Sequence, residues 1–78
     1  MMTNGPSITD YLIESARLGR FDYVKTIMES DRKPDRAWSV CYSVILAHMS
    51  LYAAGFSDRK LHERHMKICD YLISIKSW

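Results

Sequence analysis

Residues 35–54 read DRAWSVCYSVILAHMSLYAA, with no charged residue after Arg36. Apolar side chains recur along this stretch at helical spacing and form two stripes. A helix that is apolar on most sides is either the centre of a fold or half of an oligomer interface. We therefore predict a third helix here that has one of these two roles. The first stripe comprises Trp38, Cys41, Tyr42, Ile45, Met49 and Tyr52, and the second comprises Val40, Val44, Ala47, Leu51 and Ala54.

A first helix is predicted between Ser7 and Gly19. Ser7 is a natural N-cap, and Asp10, three residues later, completes a capping box with it. Gly19 stands where a helix-terminating glycine belongs, because glycine enters the left-handed backbone region without strain. The apolar face of this helix comprises Ile8, Tyr11, Leu12, Ser15 and Leu18.

Two further helices complete the predicted fold. The second runs from about Phe21 to Ser30, and the short turn at Gly19 requires it to pack antiparallel to the first. The fourth begins at Ser57 or Asp58 and runs to about Lys76. The sequence therefore predicts an all-α bundle of about four helices, arranged as two hairpins of which the second is longer. The apolar faces comprise Phe21, Val24, Ile27 and Met28 in the second helix, and Leu61, His65, Ile68, Cys69, Leu72 and Ile75 in the fourth.

The length of the chain predicts a single helical domain over residues 1–78. Residues 1–6 are expected to be a flexible N-terminus, and residues 31–35 a charged linker between the hairpins. A domain of this size buries only about 60% of its unfolded surface, although 47% of its residues are hydrophobic. We therefore expect apolar surface to remain for a partner or for a homo-oligomer.

Charge and composition argue against several classes of protein. Eleven basic and nine acidic residues give a net charge of +2, which is too even for a protein that coats DNA. No signal-peptide pattern is found at residues 1–6, so Cys41 and Cys69 are expected to be reduced thiols in the cytoplasm. The apolar stretch 37–57 contains His48 and several serines, and we interpret it as a buried helix and not as a membrane span.

The segment Ser15–Glu29, SARLGRFDYVKTIME, resembles the middle of an ankyrin repeat, in which Ala-Arg-x-Gly-His precedes a hydrophobic second helix. A weaker echo, His65–Ile73, aligns with residues 20–28 at a constant offset of 45. The resemblance covers about a third of the chain and implies an ankyrin-like helical hairpin, which is typical of binding modules and not of catalysts. The matching positions are Ala16, Arg17, Gly19, Val24, Lys25, Ile27 and Glu29.

The histidines and cysteines allow two kinds of chemistry to be considered. His62, His65 and Cys69 lie at i, i+3 and i+7 on a helix, and His48 would lie opposite His65 in a hairpin about Gly55, so a metal could bridge them. The alternative is that His65 and Cys69 pack in the core. Because no Cys-x-x-Cys pair supports a metal, the sequence predicts neither a metal site nor a cofactor. Nor does it predict an enzyme, since no nucleophile is paired with a base and an orienting acid.

Lys60, Arg64 and Lys67 lie at i, i+4 and i+7 on one face of the fourth helix. Such a face could bind the phosphates of a nucleic acid or of a small nucleotide. The alternative is a solvated helix face that also carries Glu63 and Asp70. Nucleic-acid or nucleotide binding is therefore our second hypothesis for function.

Our leading hypothesis is a small helical module that binds another protein. Tyr and Trp are enriched at the centres of protein interfaces, and Tyr23, Tyr71 and Trp78 are the candidate contact residues. Such a protein would occlude or recruit a larger one, in the manner of compact accessory or inhibitor proteins of phages and mobile elements. Clustered exposed aromatic residues would favour this hypothesis, whereas a groove lined by Lys and Arg would favour the second.

Overall fold

The computed structural model describes residues 7–76, and these form four α-helices and no strand. The predicted all-α four-helix fold is confirmed. No helix in this part of the chain combines the length and the hydropathy needed to cross a membrane. The predicted flexible segment 1–6 and Trp78 lie outside the described residues. The helices are α1 (Ile8–Arg17), α2 (Phe21–Met28), α3 (Ala37–Ala53) and α4 (Arg59–Lys76).

Both ends of α1 have the predicted caps. The Ser7 hydroxyl accepts the Asp10 backbone N–H at 3.2 Å, and the Ser7 N–H donates to the Asp10 carboxylate at 3.2 Å, which closes the capping box. At the other end, Gly19 has φ +72°, and the Arg20 N–H donates to the Ser15 carbonyl at 2.8 Å. This Schellman turn satisfies the carbonyls of Ser15 and Ala16 and reverses the chain directly into α2.

Similar devices set the limits of α3 and α4. The chain turns between α2 and α3, and α3 starts at Ala37, two residues after the predicted start. It ends at Ala53, and Gly55, two residues later, has a φ of +88° that allows the Phe56 N–H to donate to the Leu51 carbonyl at 2.8 Å. Of the two predicted caps for α4, Asp58 is the one that acts, because its carboxylate accepts the Leu61 N–H at 2.8 Å.

The core lies between α3 and the two helices that it packs against, α1 and α4. Trp38 is half-buried at the edge of this core, and its indole N–H donates to the Leu72 carbonyl at 2.7 Å. This bond joins α3 to α4 and satisfies the one polar group of the indole ring. The buried apolar residues are Leu12, Ala16, Val24, Met28, Ala37, Cys41, Ile45, Ile68, Cys69 and Leu72.

The described residues cover one of the two apolar stripes of α3 and leave much of the other exposed. The first stripe is in the core, where Cys41 and Ile45 are fully buried. Of the second stripe, Ala47, Leu51 and Ala54 are exposed. The molecule is only 18 Å thick along its shortest axis, which is about two layers of packed helices. A helix in such a slab has neighbours on one side only.

Parts of two other apolar faces also remain uncovered. On α1, Leu12 and Ser15 are buried, but Ile8 is 39% exposed and Tyr11 is 55% exposed. Leu18, after the helix, and Ile75, in the last turn of α4, are likewise exposed. Helical spacing correctly places these residues on the same face as their buried neighbours. The neighbouring helices, however, do not cover the ends of the apolar faces of α1 and α4.

Ile45→Asp is expected to unfold the protein, because it places a charge at a fully buried position of α3. A loss of about 4 kcal/mol or more would exceed much of the stability of a domain of this size. The matched control is Leu46→Asp, since Leu46 is the next residue and is 44% exposed. Thermal melting followed by circular dichroism should show a folded Leu46→Asp protein and no cooperative transition for Ile45→Asp. Equal melting temperatures would contradict the assignment of the core.

Candidate binding surfaces on the α1–α2 hairpin

A cavity of about 690 Å³ lies between the α1–α2 turn and the side of α4. We call it the basic cavity, because Arg20, Arg64 and Lys67 are three of its lining residues and Asp22 is its single acid. Its volume is in the range of sites that hold small ligands or short peptide segments. The lining is completed by Leu18, Gly19, Phe21 and Tyr23.

The turn and α4 are held together by two close contacts. His65 is fully buried, and its Nε2 lies 3.0 Å from the carbonyl oxygen of Arg17, to which an N–H at this position donates. One turn away, the backbone of Gly19 packs against Arg64, so that a Cβ at Gly19 would lie 2.8 Å from the Arg64 Cβ. These contacts fix the base of the Arg64 side chain directly beside the start of α2.

Aromatic rings support two of the cations. The Lys67 ammonium lies 4.6 Å from the centre of the Phe21 ring, and the Arg20 guanidinium lies 5.5 Å from the centre of the Tyr23 ring. Such cation–π contacts hold a cation in place without neutralising it. Within residues 7–76 the ion pairs are Arg17–Glu14 and Arg59–Glu63. The three cations of the cavity therefore have no carboxylate partner in the described part of the chain.

The first turn of α2 also faces this region. Arg20 is the N-cap residue of α2, and its side chain makes no capping hydrogen bond. The first-turn N–H groups of a helix carry a partial positive charge and bind anions when no side chain caps them. The backbone thus adds to the positive potential of the cavity.

The predicted phosphate-binding stripe is only partly brought together by the structure. Arg64 and Lys67 line the basic cavity, but Lys60 is exposed and is not one of its lining residues. The third cation is Arg20, which the sequence reasoning missed. Spacing along a single helix gives no signal for Arg20, because only tertiary packing brings the first turn of α2 to α4.

An apolar groove of about 520 Å³ lies on the other side of Tyr23, between α1 and α2. Tyr11 and Tyr23 are 55% and 56% exposed, and Ile8 is 39% exposed. Monomeric proteins rarely leave contiguous apolar patches of this kind without a binding role. The groove is lined by Ile8, Tyr11, Tyr23, Thr26, Ile27 and Ser30.

The three predicted contact residues have different surroundings. Tyr23 lines both the apolar groove and the basic cavity. Tyr71 is half-buried, packs edge-on against Phe21 and donates its hydroxyl to the Glu29 carboxylate at 3.4 Å. Burial, and then the charge of Glu29 and the hydrogen bond to it, raise the pKa of Tyr71. Tyr71 therefore supports Phe21 and lines neither surface. Trp78 lies outside the described residues.

The structure brings His48 and His65 together, with their ring centres 4.8 Å apart. His62 instead stacks on Tyr52, at 3.9 Å between ring centres. Burial, followed by the charges of His65 and Arg17, lowers the pKa of His48. In residues 7–76 no group of three or more His, Cys, Asp or Glu side chains has the arrangement of a metal site.

Both cysteines are free and buried. Burial raises the pKa of the Cys41 thiol to about 12. Burial, together with the charge of Asp70, also raises the pKa of Cys69. A thiol with a raised pKa is a poor nucleophile, because the thiolate is the reactive form. The geometry thus gives these cysteines a packing role.

No family model matches the chain, and comparisons with curated proteins and with solved structures find no significant match.

Gly19→Ala is expected to destabilise the protein more than Gly55→Ala. Both glycines have positive φ, so each change costs about 1 kcal/mol for the left-handed backbone. At Gly55 nothing lies within 4 Å of the added Cβ, whereas at Gly19 the Arg64 Cβ is 2.8 Å away. Overpacking at Gly19 should add about 1–3 kcal/mol. Denaturant unfolding measures the difference, and equal losses would show that α4 does not pack on this turn.

Proposed function

We propose that this protein is a helical interaction module that binds another protein through the apolar groove of the α1–α2 hairpin. The observation that carries the proposal is the exposure of Tyr11 and Tyr23, each more than half accessible on the walls of one groove. Tyrosines bury a large area at low entropic cost and are enriched among the residues that dominate binding energy.

The remaining features agree with this proposal. Ser15–Glu29 resembles an ankyrin-repeat hairpin, and such hairpins are binding modules. Both cysteines are free thiols, which suits a cytoplasmic location. In this proposal the protein acts by occluding or recruiting its partner and not by catalysis. Accessory or inhibitor proteins of phages and mobile elements act in this way.

The second candidate function is binding of a nucleic acid or a small nucleotide. The observation that favours it is the basic cavity, where Arg20, Arg64 and Lys67 face a space large enough for a phosphorylated ligand. This candidate requires the protein alone to bind an oligonucleotide or ATP, with an affinity that falls steeply as salt is raised.

Tyr11→Ala and Tyr23→Ala should each weaken capture of the partner from a native lysate. Loss of an aromatic contact at the centre of an interface costs about 2 kcal/mol, which is about thirtyfold in affinity. The matched control is Phe56→Ala, because Phe56 is 79% exposed and lines neither surface. Quantitative mass spectrometry should recover the partner with the wild-type and Phe56→Ala proteins only. Equal recovery with all four proteins would rule out the groove.

Self-association is expected at high concentration, because the slab leaves apolar residues of α1, α3 and α4 uncovered, among them Leu46, Leu51 and Met66. Sedimentation equilibrium should show a dimer or a larger species. A single 9.1 kDa species at all concentrations would show that these apolar residues do not drive assembly. The Tyr11→Ala protein tells whether the groove itself is the contact, since it would then sediment as the monomer.

A further inference from the structure

The basic cavity and the apolar groove lie next to each other on the α1–α2 hairpin, and Tyr23 lines both of them. We propose that this surface binds a single amphipathic helix of the partner protein. Aliphatic side chains of that helix enter the groove, and an Asp or Glu carboxylate enters the basic cavity. The inference rests on the proposed protein-binding function and adds the chemistry of the partner.

Charge is the first argument for an acidic partner. Arg20, Arg64 and Lys67 surround one cavity and have no carboxylate partner among the described residues. Asp22 offsets only part of their charge, so the three cations repel one another in the free protein. A bound carboxylate relieves this repulsion, and a guanidinium can bind it through two parallel hydrogen bonds.

The apolar groove distinguishes a peptide from a nucleic acid. A polynucleotide that entered the basic cavity would need further cations where its backbone continued beyond the site. Next to the cavity, however, the surface is formed by Ile8, Tyr11 and Ile27. A partner that places aliphatic groups beside a carboxylate matches both halves of the surface, whereas a phosphate backbone matches one.

The secondary structure of the surface favours a helix as the bound form. Residues 7–76 contain no strand, so this region offers no sheet edge to which an extended peptide could add. A helix satisfies its own backbone hydrogen bonds and can lie in a groove between two helices. Its contact residues would then recur at i, i+3 or i+4, and i+7.

The experiment begins with a displayed library of random peptides about four helical turns long, selected on the complete wild-type protein. Enriched peptides should carry aliphatic residues at i and i+3 or i+4, with Asp or Glu about one turn further along. One enriched peptide is then labelled, and its affinity is measured by fluorescence polarisation at low salt, where charge interactions are least screened.

Charge reversal tests the basic cavity. Arg64→Glu should weaken binding of the selected peptide by about tenfold or more, and a peptide with its acid changed to Lys should recover affinity for this variant. Arg64→Gln, which removes the charge but keeps the Cβ–Cδ part of the side chain that packs at Gly19, should give an intermediate loss. Lys60→Glu is the matched control, because Lys60 lies on the same helix outside the cavity. Its affinity should stay within about twofold of the wild type.

The outcomes separate this inference from the proposed function. If Tyr11→Ala weakens peptide binding while Arg64→Glu does not, or if the enriched peptides lack an acid, the acidic-partner inference is overturned and the groove remains. If no peptide is enriched and Tyr11→Ala leaves lysate capture unchanged, both fail. If labelled oligothymidylate or ATP binds the wild-type protein but not Arg64→Glu, and no peptide is enriched, the cavity serves a nucleic acid or a nucleotide.

Discussion

The hydrogen bond between the buried imidazole of His65 and the carbonyl of Arg17 is the contact on which the arrangement of the hairpins depends. The last carbonyl groups of a helix have no hydrogen-bond donor within that helix. His65 of α4 supplies such a donor to Arg17 and so connects the end of α1 to α4. The Nδ1 of the same ring has no partner in residues 7–76, so the burial of His65 is stabilised by this one bond and by packing. Because Gly19 lies directly after α1, the same contact brings Arg64 to the start of α2. The basic cavity is therefore a consequence of the packing of α4 against the turn between α1 and α2.

Thinness is the second property that shapes the surface. With two layers of helices, every helix has an inner side and an outer side, and a chain rich in apolar residues cannot place all of them inside. On the outer side of α3, the exposed Leu46 and Leu51 lie beside the exposed polar residues Ser43 and Ser50. At the α1–α2 hairpin, in contrast, Tyr11 and Tyr23 converge on one groove. Convergence, more than exposure, is the reason why we propose the hairpin as the binding surface.

Local rules predicted the ends of the helices well, because caps are decided by a few neighbouring residues. Ser7 with Asp10, and Gly19, could be identified from sequence spacing alone. Helical periodicity also predicted which residues share a face. It cannot predict how far a neighbouring helix covers that face, and for this reason the sequence did not predict the exposure of Ile8 and Tyr11. The sequence predicted a basic stripe on the fourth helix and not a cavity. Lys67 and Arg64 are on one helix, whereas Arg20 comes from a distant part of the chain that only tertiary packing brings near.

The burial of Cys41 has a practical consequence for following the molecule in solution. Because burial raises the pKa of Cys41 to about 12, the thiol stays protonated at neutral pH in the native state. Alkylating reagents therefore react with Cys41 chiefly when α3 separates from the core. Under slow labelling, the rate reports the free energy of that opening. Labelling of Cys41, measured separately from that of Cys69, thus follows opening of the bundle without a fluorophore or an engineered tag.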